Sequence, residues 1–280
     1  MVRHRDRRVL ALAVLALAAA CGGAGDPGVS VSSRAGDQRY EGSFTVLESA
    51  AHGPELCSAV AESLPPQCDG LPVLGWDWAA VEGEETVGGT RWGAWHVTGT
   101  FDGERLHLTE PPRPPQPDDE EVAGDSDFSP ACDEPDVVDA SQGVAEWEAM
   151  TQVDGSFDSR ELVAAWVSDP AGDGGGRFVG NVVVVPGAAQ AAVARIREHY
   201  AGPLCVVERD GPTAAELAAV QDELTGEDAH GVLGTILITA TDERRGVVMA
   251  SIWVVDEAAV EYADQRWGDL VELRGLLRPV

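Results

Sequence analysis

The chain has 280 residues, a length that suits two domains at about 150 residues each. It carries 48 Asp and Glu against 19 Arg and no Lys, a net charge of −29 that excludes a nucleic-acid binder, because phosphate recognition needs a basic face. An apolar fraction of 44% excludes a wholly disordered chain.

Residues 1–8 are basic, and residues 9–20 form an unbroken apolar run. The run is too short to span a bilayer, which needs about 20 residues, so residues 1–20 read as a signal peptide. The run ends in Leu17-Ala-Ala-Ala-Cys21-Gly-Gly. Small residues before a Cys resemble the lipobox of bacterial lipoproteins, with Cys21 as the lipidated first residue; Ala18 stands where that motif usually has Leu. The alternative is ordinary cleavage and secretion. Either way the mature chain keeps 15 Arg and 47 acids, so its surface repels anionic headgroups and only acyl chains would hold it on a membrane. Residues 21–39 lack periodicity and read as a tether.

With Cys21 lipidated, four of the five Cys remain, an even number that fits an oxidising compartment. Three pairings are possible. Cys57–Cys68 with Cys132–Cys205 is favoured because the first pair is local. A zinc site is disfavoured, since no CxxC is present.

Residues 40–109 read as a small β-domain, an OB-like barrel being one candidate topology. Strands are expected at 40–47, 73–81, 92–100 and 104–109, and a short helix or loop at 57–68. A two-residue turn at Asp102-Gly103 would set Phe101 opposite Glu104, Gly99 opposite Leu106 and Val97 opposite Leu108. Trp95, Val97, Phe101, Leu106 and Leu108 then face the core, while His96 and His107 face solvent.

Residues 110–139 read as a linker: five prolines lie between 111 and 117, and eleven acids face one Arg. Such composition favours an extended or disordered segment. It would keep the two domains separately folded, with Cys132 pinning its far end.

Residues 140–280 read as an α+β domain. The pattern predicts helices at 141–153, 188–200, 213–224 and 256–267. It predicts strands at 178–185, 204–208, 232–241, 247–255 and 270–277. Thr213-Ala-Ala-Glu216 is a capping box. Strand, helix, aromatic residue, Gly and strand follow one another over 182–207 and again over 252–273. Two βαβ-like units suggest an α/β sandwich on a ferredoxin-like plan.

The strings Gly42-Ser-Phe-Thr-Val-Leu-Glu-Ser, His52-Gly-Pro-Glu-Leu-Cys57, Pro65-Pro-Gln-Cys68, Gly75-Trp-Asp-Trp78 and Thr98-Gly-Thr-Phe-Asp-Gly103 resemble one group of proteins. So do Gly202-Pro-Leu-Cys-Val206, Gln221-Asp-Glu-Leu224 and Leu277-Arg-Pro-Val280. The group is the uncharacterised exported (lipo)proteins of high-GC actinobacteria. The resemblance implies export and brings no functional residue with it.

The chain has no GxSxG elbow, HExxH, P-loop or GxGxxG after a strand, so neither a catalytic residue nor a cofactor is expected. The glycine run at 172–176 precedes a strand and reads as a loop. His96 and His107 are a weak metal pair, more simply two solvated side chains. The acids at 118–121 and at Asp125 and Asp127 are weak Ca²⁺ candidates, more simply a solvated linker. Trp76, Trp78, Trp92 and Trp95 would serve as a stacking platform for a sugar or peptide, or as a Trp-rich core. These features together describe a lipid-anchored protein on the outer face of the cell membrane. It binds or scaffolds, its partner being an envelope protein or glycan. The alternative is a hydrolase with its site in the interdomain cleft.

Overall fold

The computed structural model describes residues 38–119, 128–170 and 178–280. The expected signal peptide at 1–20, Cys21, the tether expected through residue 37, the acids at 120, 121, 125 and 127, and the glycine run at 172–176 lie outside the described residues.

The first region is a closed barrel. Its strands are β1 (Arg39–Glu48), β2 (Glu55–Cys57), β3 (Leu71–Leu74), β5 (Thr90–Phe101) and β6 (Leu106–Leu108), with β4 (Glu85–Val87) a short hairpin partner of β5 outside the ring. The ring runs β1-β2-β3-β6-β5 and closes through β1–β5. The β3–β6 pair is parallel and β1–β5 antiparallel. This is the OB-type connectivity named above. Period-two alternation builds it: Phe44, Val46, Trp95, Val97 and Leu106 point inward and are buried. Gly42 is required by a close approach, because a Cβ there would lie 2.6 Å from the Phe44 ring and 2.8 Å from the Leu276 carbonyl oxygen.

The β5–β6 turn is wider than the sequence suggests. Gly99 pairs with Leu108 and Phe101 with Leu106. Asp102 Oδ1 accepts from the amides of Glu104 and Arg105 at 2.9 and 2.8 Å, which holds a longer loop. The register therefore slips by two residues. An even slip preserves the faces, so the inward set is unchanged.

The described parts of the linker are not free. The Arg113 backbone bonds to that of His96, and Asp119 takes both guanidinium nitrogens of Arg113. Beyond the gap, the Asp136 backbone bonds to Leu204, and Ala131 N donates to Asn181 Oδ1 at 2.7 Å. Backbone groups with no partner of their own find one on a neighbouring strand, despite the prolines and charges.

The second region holds two units of one plan. The first runs α1 (Val144–Thr151), β7 (Leu162–Ser168), β8 (Val179–Val184), α2 (Ala189–Arg197) and β9 (Leu204–Glu208). The second runs α3 (Ala214–Leu224), α4 (Glu227–Leu233), β10 (Ile238–Asp242), β11 (Val247–Ile252), α5 (Glu257–Trp267) and β12 (Val271–Gly275). Each unit is a hairpin whose second strand crosses through a helix to a parallel third strand. The strands form two separate three-stranded sheets, β7-β8-β9 and β10-β11-β12, rather than one ferredoxin-like sheet. Strand β7, which the periodicity missed, and β10 each take the free edge of their own unit, so the central strands never pair with each other. The expected strand at 232–241 splits: Val232 and Leu233 end α4, Gly234 (φ +71°) stops it, and β10 follows.

The expected last strand also splits. After β12 the chain turns, Leu277 enters the barrel core, and β13 (Arg278–Pro279) pairs with Tyr40 and Glu41 of β1. Trp253, Val254 and Leu276 pack on the same core. The barrel is thus completed by the second unit.

Candidate functional site

Both favoured disulfides form, Cys57–Cys68 and Cys132–Cys205. Among the described residues no helix is long and apolar enough to cross a membrane.

The structure brings together three of the four clustered tryptophans. Trp76, Trp78 and Trp95 meet edge to face with centroids 5.2–5.5 Å apart. Trp78 lies in a single 3-10 turn capped by Asp77, not on a strand, and its Nε1–H donates to the Glu48 carboxylate. Arg91 sits 5.9 Å over its ring. Trp92 is on the opposite face of β5 from Trp95 and makes no ring contact with the triad. The rings fill one end of the barrel, where Trp95 is 2% exposed and folds across Gly93.

His96 and His107 do not come together. His107 pairs with Thr100, four residues along β5 from His96. His96 is not solvated: it is 2% exposed beneath the 111–119 segment. Its Nδ1 lies 3.1 Å from Ser43 Oγ and 3.4 Å from Asp119, and its Nε2 lies 3.4 Å from Glu41. The Arg113 hydrogen bonds hold the Asp119 carboxyl well below the usual range. The two ring nitrogens of His96 face different acids, so the set does not converge on a metal, and no metal-binding group occurs among the described residues.

His107 has a different setting. Its Nε2 is 2.8 Å from Asp102 Oδ2. That bond, with the two turn amides, holds the Asp102 carboxyl down at about 2. The pair sits on the wall of a cleft of about 700 Å³ between the barrel and the second unit. Tyr40 and Phe101 line the barrel side, while Trp253 and Asp256 line the other. Asp256 caps α5, its Oδ1 accepting from Ala259 N at 2.8 Å. Burial, then the nearby Asp256 charge, raises the Tyr40 phenol above its ordinary value. Among the described residues no Arg lines the cleft.

Sequence reasoning singled out His107 but not Tyr40, Trp253 or Asp256 as neighbours. The helix expected at 256–267 begins at Asp256, which the structure makes its N-cap. Its placement opposite Tyr40 depends on β13, more than 200 residues from β1, returning to the barrel. No family model matches the chain, and neither a curated protein nor a solved structure matches it.

Proposed function

We propose that this is an exported binding protein of the bacterial cell envelope, anchored through acyl chains on Cys21, with its ligand held in the cleft between the barrel and the second unit. The observation that carries the reading is the cleft itself. It combines aromatic rings with oriented carboxylates, and its walls come from segments that only tertiary packing joins. The two disulfides and the strongly acidic surface support an oxidising, extracytoplasmic setting. The resemblance to actinobacterial exported proteins supports the outer face of that membrane, with an envelope component, protein or glycan, as the partner.

The test joins two measurements. Mass spectrometry of the mature N-terminus should find acyl chains on Cys21; an unmodified start elsewhere overturns the anchor. Capture from the native envelope with the anchored protein should retain a component that the Thr235→Arg variant, altered at an exposed cleft residue, does not. Equal capture by both overturns the cleft.

One observation favours hydrolysis as a second reading: His107 hydrogen-bonds the Asp102 carboxylate, the kind of contact a general base and its orienting acid would make. Asp102 is already engaged by its own turn, and no nucleophile hydrogen-bonds to His107 among the described residues. Binding is therefore the better supported reading. Cleavage of an ester or glycoside panel that disappears in His107→Ala would reverse that order.

A further inference from the structure

The cleft has a charge and a shape that narrow its ligand, provided the reading of the cleft as a binding site holds. Its two lining carboxylates are not equivalent. Asp102 is surrounded by donors: the amides of Glu104 and Arg105 on one oxygen and the His107 ring on the other. It contributes field but offers little room for a new partner. Among the described residues Asp256 uses Oδ1 alone, for the Ala259 amide, which leaves Oδ2 for a ligand. Its charge is felt at the Tyr40 hydroxyl across the cleft. Aromatic Tyr40, Phe101 and Trp253 stand on the same walls, and among the described residues no Arg lines the cleft beside either acid.

An anion is excluded by this lining, and the chain's net charge of −29 repels it at longer range. A neutral sugar would use the rings but leave the free carboxylate oxygen without a counter-charge. A cation uses both, since ring faces attract ammonium and guanidinium groups within about 6 Å. The positive end of α5 opposes a cation. The helix end carries about half a charge, and the carboxylate a full one, so the carboxylate prevails.

We propose that the cleft binds an organic cation, an ammonium or guanidinium group on an apolar stem, with Asp256 as its counter-ion and the Tyr40, Phe101 and Trp253 rings around the stem. A basic side chain of an envelope protein or peptide is the partner of that chemistry.

Ligand-observed NMR titration of the full exported chain with three probes tests it. The probes are N-acetyl-lysine methylamide, its norleucine analogue, which lacks the ammonium, and N-acetylglucosamine. The lysine probe should bind about tenfold or more tightly than the norleucine probe. Asp256→Asn keeps a good helix cap, because Asn caps as well as Asp. It should weaken the lysine probe about tenfold and leave the norleucine probe unchanged. Thr235→Arg, which adds a positive charge at an exposed position of the cleft wall, should abolish lysine-probe binding. Equal affinity for the lysine and norleucine probes, or indifference to Asp256→Asn, overturns the cation. If N-acetylglucosamine then binds and is lost in Trp253→Phe or Thr235→Arg, the cleft stands and only its ligand class was wrong. If no probe responds to either variant, the cleft reading falls as well.

Discussion

The two ββαβ units share one connectivity and differ in what their sheets face. In the first, all six residues of β8 are buried, because both faces of its sheet are covered. One face packs on Trp147, Ile196 and Tyr200; the other carries Val163, Ala164 and Val183. The β10–β11 turn of the second unit reaches the first sheet there: Ala165 N donates to the Glu243 carboxylate at 3.4 Å, and Arg244 lies over the Phe128 and Trp166 rings. In the second unit β11 alternates between buried and half-buried residues. Its helices α3 and α5 cover one face, and the segments leaving β11 and β12 go to the barrel instead. A common topology therefore supports two roles. The first unit is a covered, disulfide-bound core. The second is a bridge whose outgoing segments make one wall of the cleft. The lesson is that segments outside the repeated strands and helices decided the roles.

Three perturbations break or sharpen that contrast. The largest effect should come from the first unit's bridge. Cys132→Ser with Cys205→Ser opens a link across 73 residues, which costs about 4 kcal/mol in the chain-entropy treatment, against about 3 for the 11-residue Cys57–Cys68 link. Denaturant titration of the two double variants should rank them in that order. If the barrel bridge matters more, the first unit does not depend on its cross-link as argued. Thiol labelling of the denatured, unreduced wild type should find none of these four cysteines free.

A smaller effect should follow from uncoupling the second unit. Leu277 is 1% exposed in the barrel core. Leu277→Ala should cost about 3 kcal/mol and split one unfolding transition toward two. An unchanged single transition would mean that β13 does not couple the regions.

The smallest effect lies at the contact between units. Burial raises the Glu243 carboxyl above its ordinary value. A raised acid binds its proton more tightly in the folded state, so stability falls as pH rises from the ordinary Glu value through the raised one. Glu243→Gln keeps an acceptor for Ala165 N and should flatten that part of the stability curve, leaving the variant as stable as wild type or more so near neutrality. A curve that keeps its slope would assign the pH dependence elsewhere.

The sequence by itself determined what depends on near neighbours. Thr213 and Asp256 cap their helices as their side chains dictate, and strand 204–208 falls where its apolar run places it. The inward faces of β5 and β6 followed from alternation and survived a register error, because the slip was even. Disulfide pairing was legible because one pair is close in sequence and only one partner set remained. Tertiary structure alone decided the rest. His96 lies on the polar face of its strand, and nothing local shows that residues 111–119 return to cover it. Leu162–Ser168 has no strict alternation because its sheet is covered on both faces, so its apolar run did not announce a strand. The cleft was the least legible feature. Tyr40, His107 and Asp256 become neighbours only because Leu277 and Arg278 carry the second unit back to β1, and pairing across that separation leaves no periodic trace in either segment.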